Sequence, residues 1–117
     1  MKDVVIVGAM RTPIGDLLGS LKDVSAVDLG VAAVNGALKQ ANVDPSMVNE
    51  VACGMIYKAG VKGNPARQIQ IKCGMPVEGY AYTVDQQCGS GMRYCCSCWN
   101  RKHVTGSLYI KRSQRRP

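Results

Sequence analysis

The run Val84-Asp85-Gln86-Gln87-Cys88-Gly89-Ser90-Gly91-Met92-Arg93 carries the clearest chemistry in the chain. A β-branched, aromatic segment precedes it and a helix is expected after it, so Cys88 falls where a strand gives way to a helix start. At a helix N-terminus, free backbone N–H groups and the positive end of the dipole favour thiolate over thiol. Gly89 and Gly91 let an acyl group approach the backbone closely. A cysteine in that position is a candidate nucleophile able to take up an acyl group. The alternative is a buried core cysteine, the common fate of a free thiol. The strand, the turn and the glycines favour the nucleophile. Ser90 is a weaker candidate, because the Gly-x-Ser-x-Gly pattern of hydrolases is not met. A complete site would also need a base to take the thiol proton and donors for an oxyanion.

The elements that must position Cys88 can be read from the pattern of side chains. Val4-Val5-Ile6-Val7 is a short apolar run, expected as a strand buried on both faces. Ser25 is expected to cap a first helix, with Asp28 three residues on. Val27, Val31, Val34, Leu38 and Ala41 form one apolar stripe at steps of four and three. Gly30, Ala33 and Ala37 lie beside it and would allow close approach to a sheet. Asp44-Pro45 opens a short turn, and Glu50 to Ile56 reads as a second strand. Asn64 to Gly74 has the grammar of a helix: Asn as cap, Pro just inside, Lys at the end, then Gly. Tyr80-Ala81-Tyr82-Thr83-Val84 reads as a third strand. The order strand, helix, strand, helix, strand, helix implies an α/β layered fold, in which reactive groups gather at the carboxyl ends of strands.

At 117 residues the chain is one small domain or a piece of a larger one. The apolar fraction of 46% is enough for a core and argues against disorder throughout. No run of about 18 apolar residues is present to span a membrane, and the N-terminus reads as a strand rather than a secretory signal. Six cysteines without a secretory context suggest unpaired thiols in a reducing cytoplasm. The net charge of +7 is unevenly placed: residues 1–92 hold eight bases and eight acids, whereas residues 93–117 hold seven bases and no acid. Within that last stretch, Cys95, Cys98 and His103, with Cys96 or Cys88 as a fourth, could be metal ligands. The spacing gives one Cys-x-x-Cys and no second pair, so an incidental cluster is the better reading and no metal is assigned. Lys111-Arg112-Ser113-Gln114-Arg115-Arg116 could meet phosphates of nucleic acid or of coenzyme A, but reads first as a solvated end. Arg11 and Arg67 are assigned to loop hydrogen bonding and surface charge.

Three stretches, agreeing in order and spacing, make a resemblance specific: Val5-Ile6-Val7-Gly8-Ala9-Met10-Arg11-Thr12-Pro13-Ile14-Gly15, then Gly63-Asn64-Pro65-Ala66-Arg67-Gln68, and above all Gln87-Cys88-Gly89-Ser90-Gly91-Met92. Residues 1–93 resemble the N-terminal part of a thiolase of the acetyl-CoA acetyltransferase type. The resemblance implies the incomplete N-terminal half of a layered α/β fold, coenzyme A thioesters as substrates, no metal or covalently bound cofactor, and assembly as dimers or tetramers. It implies that Cys88 takes up the acyl group as a thioester and that the backbone N–H of Cys88 is one oxyanion donor. The family's other catalytic parts, an Asn-Glu-Ala-Phe segment, a Gly-His-Pro histidine and a second cysteine in Cys-x-Gly-x-Gly, do not occur here. Residues 94–117 are expected to be a basic, Cys-rich tail unlike the family, the product of a reading-frame shift or an aberrant terminus near codon 93. The expectation is therefore a thiolase-type acyltransferase fragment, inactive as an isolated chain. The alternatives are a non-catalytic piece that associates with full-length thiolase subunits, and a basic nucleic-acid-binding tail on an α/β domain.

Overall fold

The structure, a computed structural model, describes residues 5–93. The residues 94–117, with Cys95, Cys96, Cys98, His103 and the basic run, lie outside the described residues. So does the start of the first expected strand.

Helix α1 spans Ala26–Ala41 and begins where its cap allows. The Ser25 hydroxyl accepts from the Asp28 N–H at 3.1 Å and donates to the Asp28 carboxylate at 2.6 Å, which satisfies a donor of the first turn. The helix ends at Asn42, whose left-handed φ of 50° turns the chain away. Its stripe is the expected one: Val27, Val34 and Leu38 are buried, and Val31 packs against them partly covered. A single 3-10 turn at Pro45–Met47 follows, capped by the Asp44 carboxylate on the Ser46 N–H at 2.8 Å.

Strand β1 (Glu50–Gly54), helix α2 (Pro65–Lys72) and strand β2 (Tyr80–Val84) form a βαβ unit. The strands pair in parallel, with Val51 opposite Ala81 and Cys53 opposite Thr83. Side chains alternate across a strand. Val51, Cys53 and Ala81 therefore share the face that packs into the core with Ala66 and Ile69 of α2. The other face carries Glu50, Tyr80 and Tyr82; Tyr80 is 76% exposed, and the Tyr82 hydroxyl donates to the Glu50 carboxylate across the strands. One face of the sheet is thus covered and the other is open among the described residues.

The core is α1 on α2 on the sheet, filled by Val27, Val34, Leu38, Val48, Val51 and Ile69. Each such side chain contributes about 1.5–3 kcal/mol when fully buried. Gly30 of α1 does permit close approach, but to α2 rather than to the sheet: a β-carbon on it would collide with the Ile69 side chain. An ion pair also ties the two helices, from the Lys72 ammonium to the Asp28 carboxylate at 2.6 Å. That hydrogen bond, and then the one from Ser25, hold the Asp28 carboxyl below its ordinary value of 3.8.

The first expected strand is corrected. Val5, Ile6 and Val7 are 63%, 64% and 42% exposed and form no strand. A strand buried on both faces needs a sheet neighbour and layers above and below it. Here the segment instead docks on α1, where Gly8 is buried and the Ala9 N–H donates to the Gln40 side chain at 2.8 Å. The second strand also stops two residues early, at Gly54, where the chain meets the turn that carries Cys88.

Candidate active site

Two loops meet at the carboxyl ends of the parallel strands. From β1 run Gly54, Met55, Ile56 and Tyr57; from β2 run the turn residues Gln87 and Cys88 and the helix start at Ser90 and Gly91. Together they line an open cavity of about 490 Å³. In open α/β sheets this end is where ligands bind. The Met55 N–H donates to the Val84 carbonyl at 3.0 Å, so the loop after β1 begins in register with the end of β2.

The turn between β2 and the next helix is short and fully specified. Asp85 starts it, its carboxylate accepting from the Gln87 N–H at 3.3 Å. Gln87 takes a left-handed conformation with φ 52°. The Gly89 N–H donates to the Gln86 carbonyl at 3.1 Å, and the Ser90 N–H to the Gln87 carbonyl at 3.1 Å. Residues 90–93 are helical, with the Arg93 N–H on the Gly89 carbonyl at 2.9 Å. Cys88 thus lies four residues beyond the end of the strand and one before the cap of the helix, close to the expected position though not abutting either element. Its side chain is exposed.

Ser90 is buried, at 4% exposure, and its hydroxyl is committed to the backbone. It accepts from the Gln86 N–H at 2.9 Å and donates to the Gln87 carbonyl at 2.6 Å. A nucleophilic serine would need its hydroxyl free toward the cavity, so this geometry agrees with ranking Ser90 below Cys88. Sequence reasoning missed the structural part Ser90 plays. The signal was present, since a hydroxyl two residues after a turn cysteine and at a helix start is suited to bonding the turn's own backbone.

Cys53 and Cys73 are the other thiols among the described residues. Cys73 ends α2 and is buried; Cys53 sits in β1 on the covered face. Burial pushes both thiols up from their ordinary value of 9.0, which keeps them protonated and unreactive. Arg67 fills the part expected of it, donating to the Gln70 side chain at 2.7 Å and to the Gly79 carbonyl at 3.3 Å. Gln70, fully buried, passes the contact on to the Pro76 carbonyl at 3.0 Å. This buried polar hub holds the approach to β2, and the helical pattern of the sequence did not reveal it. No group of side chains suited to hold a metal occurs among the described residues.

The thiolase N-terminal domain family matches residues 4–105. The chain belongs to the thiolase family. An acetyl-CoA acetyltransferase of Clostridioides difficile is 47% identical over 93 residues, which are 80% of this chain and 87% of that protein. One from Syntrophomonas wolfei is 42% identical over 92 residues, 79% of this chain but 23% of its own length. The chain therefore spans most of the first relative and about a quarter of the second. The solved structure of a Syntrophomonas wolfei acetyl-CoA acetyltransferase superimposes with a TM-score of 0.75 at 43% identity, over 82% of this chain and 24% of that one. The Acat5 thiolase of Ascaris suum, solved in complex with coenzyme A, gives 0.82 at 28% identity, over 97% of this chain and 34% of that one. The fold described above is an incomplete N-terminal half of the thiolase α/β architecture.

Proposed function

We propose that this chain carries the acyl-accepting cysteine of a thiolase-type acyltransferase, and that Cys88 is that residue. What supports the reading is the contrast among the thiols: Cys88 is exposed in a cavity at the carboxyl ends of two parallel strands, while Cys53 is half-buried and Cys73 buried. The substrates are coenzyme A thioesters, as the names of the relatives suggest.

The step follows from the chemistry. The Cys88 thiol gives up its proton and its sulfur attacks the carbonyl carbon of an acyl-CoA. The oxyanion of the tetrahedral intermediate is met by donors that include the backbone N–H of Cys88. The bond from that carbon to the coenzyme A sulfur breaks, and the coenzyme A thiolate leaves and takes up a proton. Cys88 then holds the acyl group as a thioester. In the degradative direction the sulfur instead attacks the β-carbonyl of a 3-ketoacyl-CoA and the bond between its α- and β-carbons breaks. Acetyl-CoA leaves as the α-carbanion and takes up a proton, and Cys88 is freed when a coenzyme A thiol takes the acyl group. In the biosynthetic direction the acceptor is the α-carbon of a second acetyl-CoA that has lost a proton.

The isolated chain is proposed to stop at the first transfer. Its single histidine, His103, stands in Lys102-His103-Val104 and not in the family's Gly-His-Pro, and no Cys-x-Gly-x-Gly is present to supply the second cysteine. Without a base matched to the return step, the acyl group is not handed on. The reading further places the protein in the cytoplasm, within an oligomer of thiolase type. Among the described residues no helix is long and apolar enough to cross a membrane.

The test is to add acetyl-CoA to the chain and follow free coenzyme A, then to assay thiolysis of acetoacetyl-CoA. The expected result is release of at most one coenzyme A per chain, lost in Cys88→Ser, with no sustained thiolysis. Release that survives Cys88→Ser would overturn the assignment of Cys88. Thiolysis at ordinary enzyme rates would overturn the proposal that this polypeptide stops at the first transfer.

A further inference from the structure

The hydroxyl of Ser90 grips the backbone at two points just ahead of Cys88, the second of them in the peptide that leads into it. It accepts from the Gln86 N–H at 2.9 Å and donates to the Gln87 carbonyl at 2.6 Å. That carbonyl also receives the Ser90 N–H at 3.1 Å, so one residue bonds it twice. Between these anchors Gln87 is held at φ 52°, a conformation that a residue with a β-carbon adopts only at a cost. Ser90 is itself fixed. It is buried, and its backbone lies so close to Gly54 that a β-carbon there would stand 2.7 Å from the Ser90 carbonyl carbon and from the Gly91 nitrogen.

We infer that Ser90 is a positioning residue for Cys88: through its hydroxyl it locks the 85–90 turn in the one conformation that presents the thiol, and the peptide N–H of Cys88, at the cavity. The peptide joining Gln87 to Cys88 contains both the Gln87 carbonyl that Ser90 holds and the Cys88 N–H. Fixing one end of a planar peptide therefore fixes the direction of the other. The inference rests on the reading of Cys88 as the acyl acceptor, and it adds how the fold aims that residue.

The test uses the 117-residue chain and iodoacetamide, with alkylation of each cysteine followed by site-resolved mass spectrometry. Cys53 and Cys73 serve as internal reporters of the fold, and Cys88 reports the turn. Ser90→Ala is expected to slow alkylation of Cys88 about tenfold while Cys53 and Cys73 stay as protected as before. Ser90→Thr keeps the hydroxyl and is expected to bring Cys88 back to within about twofold of the parent rate. Three results would overturn the inference. One is an unchanged Cys88 rate in Ser90→Ala. A second is simultaneous exposure of Cys53 and Cys73, which would make Ser90 an ordinary core residue. The third is failure of Ser90→Thr to restore Cys88 while Cys73 remains protected. Alkylation needs no acyl transfer, so this outcome is separate from whether Cys88 accepts acetyl from acetyl-CoA.

Discussion

Burial sorts the three thiols among the described residues into two kinds. Cys73 closes α2 and Cys53 lies under it in β1, and desolvation holds both in the protonated form. Cys88 stands in the open, on a turn whose backbone is tied at Asp85, Gln86, Gln87 and Ser90. The closest constraint on that turn comes from the other strand. Gly54 ends β1 against the backbone of Ser90 and Gly91, and a β-carbon at Gly54 would approach that backbone to 2.7 Å. Backbone does not yield as a flexible side chain does. Gly54→Ala is expected to cost about 1–3 kcal/mol, as overpacking does, and to displace the Cys88 turn. Urea unfolding measures the cost. An unaltered midpoint would show that β1 and the turn do not touch as described.

At the scale of elements, α2 determines where β2 begins and how it is aimed. Its cap does more than start the helix. The Asn64 side chain accepts from the Ala66 N–H at 3.1 Å, donates to the Ala81 carbonyl at 2.9 Å, and accepts from the Thr83 hydroxyl at 2.6 Å. Asn64→Ala is expected to destabilise the domain by about 1–2 kcal/mol, the upper range for a cap, because strand contacts go with it. Asn64→Asp should recover the cap but not the bond to Ala81, and thermal melts of the two variants would separate the parts. The Asp28–Lys72 pair clamps α1 to α2 in a pH-dependent way. Since the Asp28 carboxyl is held below 3.8 when folded, its contribution is present above that value and is lost as the pH falls through the lower folded value. The melting temperature of Asp28→Asn is therefore expected to depend less on pH below about 4 than that of the parent chain. Parallel curves for the two proteins would count against the clamp.

Most of this βαβ unit could be read from the chain, because its signals are local. The caps Ser25, Asp44 and Asn64, the stripe through Val34 and Leu38, and the β-branched run ending at Val84 each act within a few residues. What escaped depends on residues distant in sequence. Val5-Ile6-Val7 has the composition of a buried strand, yet composition cannot supply the neighbour a strand needs. Gln70 reads as a polar position on an amphipathic helix, and its burial follows from Arg67 and Pro76 closing over it. Cys88 was legible as a candidate because Gly89 and Gly91 follow it and a strand precedes it. The part of Ser90 was legible only as a hydroxyl at a helix start suited to bonding nearby backbone; which groups it bonds is settled only once Gln87 turns left-handed.

For the molecule as a whole, the described residues make a domain finished on one side. Helices cover one face of the sheet, while Tyr80 on the other face and Ile14, Leu17 and Leu18 in the loop before α1 remain at 76%, 84%, 94% and 79% exposure. The folded part nevertheless brings two loops together around one open thiol. The central claim is that folding, rather than the presence of a cysteine, makes Cys88 the acyl acceptor. The direct measurement is to treat the native and the urea-unfolded chain with acetyl-CoA and to locate the acetyl group by mass spectrometry over time. The account predicts acetylation at Cys88 in the native chain, ahead of Cys53 and Cys73 and faster than at Cys88 in the unfolded chain. Acetyl groups spread evenly over the three thiols, or a native rate no greater than the unfolded one, would contradict it.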